Sequence, residues 1–377
     1  MSDPTASQGS SWFQRFLLPG FAFKATVIGG GYATGRELAE FFLPSGPWGG
    51  VSAMVLAMLL WSVVCMGTFV LAHRNGTYDY QSFFRSLLGR GWIIYEVAYG
   101  LFVVVLLSVF GAAAGAIGAA MLGWPTVVGT CVLMIAIAGF VAFGTAAIEQ
   151  LFKYVSFLLY GVYALFAVLA LTTFGHAIVE HFSLIVPPTG WFVGGMTYSG
   201  YNIIGAVVIL PVLKHLASGR DAVIAGALAG PLAMLPALIF FCCMVAFYPA
   251  IGNETLPSDF MLRQLDMPLF HYLFQIMIFA ALLESGAGFV HAINERINAA
   301  WTSSGKAPLG RSPRLSVAAV LLIFCIFVAD HFGLARLISE GYRYLSYVFL
   351  AIYVAPLLTV GLLRVVRGGR DVLDAGS

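Results

Sequence analysis

The sequence predicts an all-α integral membrane protein of about ten transmembrane helices, built as two inverted repeats of five with the first and sixth helices broken. Three observations predict it. Of 377 residues, 60% are hydrophobic and only 10% charged, where a soluble domain is roughly half apolar and a quarter charged. The apolar residues fall in long unbroken runs, unlike the short alternating segments of a β-barrel. Two of these runs, five spans apart, carry glycine clusters at mid-span. A net charge of +2 offers no basic surface for nucleic acid.

A span takes roughly 20 apolar residues. Such runs lie at about 13–44, 47–72, 91–121, 125–145 and 147–173, then at about 190–216, 219–249, 268–300, 314–330 and 335–367. Breakers separate them: Pro44-Ser45-Gly46-Pro47, Gly123-Trp124-Pro125, Pro187-Pro188, and the segment from Gly305 to Pro313. The chain therefore reads as a single transmembrane domain over 1–377, with a first repeat at about 13–173 and a second at about 190–367. One set of loops holds Arg74, Arg85, Arg90, Lys214, Arg220, Arg296, Lys306, Arg311 and Arg314, and both termini join it through Arg15, Arg364, Arg367 and Arg370. The positive-inside rule makes that side cytoplasmic, so both termini are expected in the cytoplasm and the chain in the inner membrane. The polar N-terminus shows no signal-peptide pattern. Cys65, Cys131, Cys242, Cys243 and Cys325 all sit in apolar runs, without metal-type spacing, and read as packing residues.

The first span reads FKATVIGGGYATGRELAEFF, with Gly29, Gly30 and Gly31 near its middle and Gly35 just beyond. Each glycine costs a helix interior about 1 kcal/mol against alanine, and in lipid a helix break survives only where it lines a cavity. Thr34 to Glu37 fits the capping box that restarts a helix. The reading is an inner half-helix, an unwound stretch, and an outer half-helix from about Thr34. The sixth span, GWFVGGMTYSGYNIIGAVVILP, gathers Gly194, Gly195 and the polar run Thr197, Tyr198, Ser199, Gly200, Tyr201 and Asn202 at its middle. Close helix packing is the competing explanation for either glycine cluster. Paired interruptions in the two halves of a chain are the best sequence pointer to a transporter binding site. The candidate substrate-binding residues are Gly29, Gly30, Gly31, Tyr32, Ala33, Thr34, Gly35, Tyr198, Ser199, Gly200, Tyr201 and Asn202.

The stretch GGGYATGRELAEFF resembles the G-x-G-F-A-[ST]-G-Q-E-I-x-x-F-F signature of the YkvI-like membrane proteins, with Tyr32 and Arg36 where that pattern has Phe and Gln. The resemblance extends to length and span layout. It implies membership of the amino acid–polyamine–organocation superfamily, the five-plus-five LeuT-type fold, and secondary transport by alternating access of an amino acid or another small organic solute. It also implies that the eighth span packs on the first-span break, where many relatives bind sodium. In some relatives a fifth-span lysine replaces that ion, and Lys153 suits this role by position.

Ionisable residues at membrane depth are functional candidates. Glu37 reads either as the capping-box carboxylate or as a proton-binding gate. Arg36 and Glu40, at i and i+4, are expected to pair. Glu284 lies mid-way along the eighth span, beside Ser285, on a stripe with Gly288, His291 and Glu295. It reads as a coupling or substrate-binding group, or as a structural partner of Lys24 or Lys153. Either lysine could instead snorkel to the interface. A sodium site wants several oxygens and no nearby cation, so protons are the favoured coupling ion over sodium. In the tenth span, Glu340 is expected to pair with Arg343.

The leading function is secondary transport of a small organic solute, its partners being that solute, a proton (or sodium) and the bilayer. A metal-ion or inorganic-ion carrier on the same fold and a non-transporting sensor are the alternatives. HExxH, GxSxG and clustered His or Cys ligands are absent from the sequence, so neither an enzyme, a metal centre nor a cofactor is expected.

Overall fold

The computed structural model describes residues 11–363 except Gly29 and Gly144, and at 30–31, 143–154 and 156–157 it describes the backbone alone. The first span is α1 (Leu18–Val27), α2 (Gly30–Ala33) and α3 (Arg36–Phe41). The second is α4 (Gly46–Asn75); a short helix α5 (Tyr80–Leu88) leads to the third, α6 (Trp92–Leu122). The fourth and fifth are α7 (Thr126–Phe143) and α8 (Thr145–Phe182). The sixth is split into α9 (Trp191–Asn202) and α10 (Gly205–Val208), followed by a 3₁₀ segment at Leu210–His215. The seventh is α11 (Gly219–Val245), and α12 (Pro257–Gln264) precedes the eighth, α13 (Pro268–Thr302). The ninth is α14 (Arg311–Arg336). The tenth spans 337–361, where π-helical turns surround α15 (Arg343–Phe349).

Six stretches of the described residues are long and apolar enough to cross a membrane, with Thr126–Ala142 a shorter seventh. The outer half of the first span is counted with the second in Arg36–Asn75 and the tenth span with the ninth in Arg311–Gly361, while the short pieces of the sixth fall below the measure. Below, the near end of the bundle is the one carrying Ser11, Asn75, Trp92, His215, Thr302 and Gly361, and the far end is the opposite one.

Small residues set the packing. α4 and α11, the second helices of the two halves, lie against each other, and Ser62 Oγ donates to Ala227 O at 2.9 Å. A Cβ at Gly226 would lie 2.5 Å from the Met66 backbone. Apolar side chains are as content in lipid as in protein, so close backbone approach through small residues is what holds such helices together. α9 packs on α4, α4 on α11 and α11 on α1, making one group; α6, α7, α13 and α14 all pack on one another and make a second. Between α6 and α7, a Cβ at Gly129 would lie 2.5 Å from Ala114 O, and Thr130 Oγ1 donates to Gly111 O at 2.8 Å.

Both interruptions are present, but they sit differently from the sequence expectation. In the first span the chain leaves the helix at Ile28 (φ −82°, ψ 80°), yet part of the glycine segment is wound as α2. The outer half restarts at Arg36, not Thr34, because Gly35 takes a left-handed conformation (φ 77°) as the N-terminal flanking residue of α3. Thr34 Oγ1 accepts from Arg36 N at 3.2 Å, two residues on. A capping box would take its bond from Glu37 N, so a short Thr-centred turn replaces it. In the sixth span the polar run 197–202 is helical, and the break follows it at Ile203–Ile204. There Ala206 N bonds Ile203 O and Val207 N bonds Ile204 O, a tightening to i,i+3 bonds rather than an extended gap. Gly195 and Gly200 serve close packing: a Cβ would meet Ala53 O at 2.6 Å and Ser346 Cβ at 2.8 Å, respectively.

Two helices outside the spans went unrecognised in the sequence. Asp79 caps α5, accepting from Ser82 N at 2.9 Å, while Phe83, Phe84 and Leu87 bury one face. Pro257 opens α12. An Asp cap ahead of i, i+1, i+4 apolar residues, and a proline at a first turn, are the signals that mark them.

Candidate functional site

A cavity of about 350 Å³ lies between the two breaks and the middle of α13. Ala25, Thr26, Val27 and Ile28 of the first span line it, with Asn202, Ile204, Gly205 and Val208 of the sixth, Tyr99, Phe102, Leu106 and Phe110 of α6, and Glu284, Ser285, Gly288 and Phe289 of α13. The α6 residues recur at i, i+3, i+7 and i+11, one helix face. That aromatic face was the legible signal the sequence reading passed over, because it looks like ordinary lipid-facing or core apolar surface.

Of the sequence-predicted residues, Tyr32, Glu37, Tyr201, Asn202, Glu284 and Ser285 line this cavity. Ala33, Thr34, Gly35, Tyr198, Ser199, Gly200 and Lys24 do not. Helical periodicity explains the sixth-span residues. Ser199 and Gly200 lie on the face of α9 turned to α4 and α15, where Trp61 Nε1 donates to Ser199 O at 3.2 Å. Tyr198 shares the face of Tyr201 and Asn202 but one turn further from the cavity, its ring 4.6 Å from that of Phe42. Lys24 lines a smaller adjoining cavity, its ammonium 4.5 Å from the centre of the Tyr160 ring. Gly29 lies outside the described residues, as do the side chain of Lys153 and the surroundings of Gly30 and Gly31.

The acids of the cavity are held differently. Tyr201 donates its hydroxyl to Glu37 Oε2 at 2.5 Å, and Glu37 is only 4% exposed. The Tyr201 ring stacks on Tyr342, 4.3 Å between centres. Glu284 is half-buried and makes no ion pair or hydrogen bond among the described residues. The hydroxyls of Tyr32 and Tyr163 are buried without hydrogen-bond partners among the described residues, their rings 5.9 Å apart. Those of Tyr198 and Tyr342 are in the same condition.

The two ends of the site differ. Toward the near end the lining includes the exposed residues Ala25, Tyr160 and Val208. Toward the far end, Phe41, Phe42, Tyr198, Tyr201 and Tyr342 are all buried. Beyond them Arg36 bonds Glu40 at 2.6 Å and reaches across to Gly252 O at 2.8 Å and Glu254 O at 3.0 Å. α12 docks onto the break itself, with Ser258 N donating to Thr34 O at 3.0 Å. Asp259 on α12 is gripped by Arg263 at 3.2 Å, His271 at 2.7 Å and Gln275 at 2.9 Å. Arg36 and Glu40 thus pair as their spacing predicts. Glu340 pairs with Arg336 at 3.2 Å rather than with Arg343, which is exposed: the π-helical turns at 337–342 shift the register that an α-helix would give.

No family model matches the chain. It is similar to the uncharacterised membrane protein YkvI of Bacillus subtilis (strain 168), 23% identical over 353 residues that cover 90% of this chain and 94% of the relative. Its structure resembles that of MhsT in complex with L-phenylalanine, with a TM-score of 0.62 and 15% identity over 94% of this chain and 99% of that one. It also resembles a Na⁺-coupled sialic acid symporter in a substrate-bound outward-open state, with a TM-score of 0.59 and 13% identity over 92% of this chain and 82% of that one. The chain is an integral membrane protein with the LeuT-type transporter fold.

Proposed function

We propose that this protein is a secondary active transporter of a small organic solute of amino-acid size, working by alternating access and coupled to protons. The observation that carries the reading is the cavity at the two helix breaks, bordered by exposed residues at the near end and covered by buried aromatic rings and the Arg36 bonds at the far end. Free backbone groups at membrane depth are tolerated where they line such a site, and rocking one helix group against the other around it gives alternating access. The lysines and arginines of the near-end loops make that end cytoplasmic in the inner membrane, so the conformation described is open inward. Glu37 and Glu284 are the proton-carrying groups of the proposal, since ionisable residues at this depth mark ion and proton paths. The mixture of tyrosine, asparagine and serine with apolar walls suits a small polar molecule.

Sodium coupling is the competing reading, favoured by the fold shared with the Na⁺-coupled symporter. Uptake by proteoliposomes of the purified protein decides between them. A radiolabelled panel of amino acids, amines and nucleobases is offered under an imposed pH gradient or an imposed sodium gradient. Accumulation driven by the pH gradient and collapsed by a protonophore is expected. Accumulation driven by sodium alone would replace the coupling ion, and no accumulation of any member under either gradient would remove the transporter reading.

A further inference from the structure

Resting on that reading, we infer that the solute is a cationic amine with a flat apolar body, its ammonium group bound by Glu284, and not a zwitterion or an anion. The cavity is chemically lopsided. Its charged lining residues are two carboxylates, Glu37 and Glu284, with no lysine, arginine or histidine among the described residues that line it. Glu37 already accepts the Tyr201 hydroxyl. Glu284 has no partner of its own and faces the open space. A half-buried carboxylate without a counter-charge is costly, and a bound ammonium ion supplies the missing charge and donors. A solute carboxylate would instead meet two carboxyl groups and no cation among the described lining residues.

The walls describe the rest of the solute. Phe102, Phe110 and Phe289 meet at ring separations of 6.0 and 6.5 Å; Tyr99 continues the same α6 face, but its ring is already covered by the Arg296 guanidinium at 3.5 Å, so the three phenylalanines are the free rings. These rings offer flat apolar surface and, through their faces, a second attraction for a cation. The Tyr32 hydroxyl is buried, 1% exposed as a residue, and without a hydrogen bond among the described residues while lining the cavity. It is positioned to meet a polar substituent on the apolar body. Two described cations rest on lining rings without lining the cavity themselves: Lys24, 4.5 Å from the centre of the Tyr160 ring and part of the adjoining cavity, and Arg296, which is paired with Glu96 at 3.0 Å.

The test uses three probes with one aryl body and different charge: 2-phenylethylamine, L-phenylalanine and 3-phenylpropionate. Binding to the purified full chain is followed by thermal shift and calorimetry. The amine is expected to bind at least about tenfold tighter than the other two, and Glu284→Gln to weaken it by roughly thirtyfold. The order of the three probes on the unaltered protein is decisive even if that variant proves unstable, and Glu284→Asp provides a second, charge-retaining comparison. Tighter binding of phenylalanine or phenylpropionate, undiminished amine binding by a folded Glu284→Gln protein, or no binding of the amine would each overturn the inference. The transporter reading fails separately: an amine that binds as expected but is not carried into proteoliposomes would leave the site assignment standing and remove the transport.

Discussion

Tyr201 and Tyr342 lie stacked on each other, yet their hydroxyls differ in kind. The first donates to a buried carboxylate at 2.5 Å; the second is buried with no partner among the described residues. Removing a donor from a buried acceptor costs about 1–3 kcal/mol, while removing an unpaired polar atom costs little or stabilises. Tyr201→Phe is therefore expected to lower the melting temperature and to slow uptake, and Tyr342→Phe to leave the melting temperature unchanged or raised. Equal melting behaviour of the two variants would show that the Glu37 bond contributes nothing. At this scale the sequence was informative about chemistry and less so about address. Glu37, Glu284, Tyr201 and Asn202 stood out as polar groups in apolar runs, but nothing in the string said that Ser199 would face α4 while Asn202, three positions on, would face the cavity.

At the scale of the element, glycine carries two distinct meanings that one letter does not separate. Gly195 sits where a Cβ would press on Ala53 O, whereas Gly100 on α6 has open space around it. Overpacking a close helix contact costs about 1–3 kcal/mol, and replacing an unconstrained helix glycine by alanine recovers up to about 1 kcal/mol. Gly195→Val is expected to melt lower and Gly100→Ala equal to or higher than the unaltered protein; a reversal of that order would refute the packing assignment. The same ambiguity placed the sixth-span break too early in the sequence reading. The glycine pair there lets α9 approach α3 and α4, and the helix changes register only after Asn202, at two isoleucines that carry no breaker signature.

For the whole molecule, the opposed ends of the cavity make a prediction about access. A cysteine at Ser285, in a background lacking the five native cysteines, is expected to react with a membrane-impermeant thiol reagent applied at the near end and not at the far end. Arg36→Ala removes the bonds to Glu40, Gly252 and Glu254, and is expected to raise far-end labelling of that cysteine. Labelling from the far end in the otherwise unaltered protein would contradict the closure described, and unchanged labelling after Arg36→Ala would take Arg36 out of the gate.

Membrane insertion, the number and order of spans and the existence of two broken helices were all legible in the amino-acid string, because each follows from local chemistry. About 20 apolar residues suffice to cross a bilayer, and glycine and proline act on the backbone where they stand. Which residues meet around the cavity was not legible. That is set by the rotation of each helix about its own axis, and rotation is decided by which small residues let two backbones approach and which side chains fill the space between. The aromatic wall of α6, the docking of Ser258 on Thr34 and the isolation of Glu284 join residues far apart in the chain, and they come into being only when the two helix groups pack.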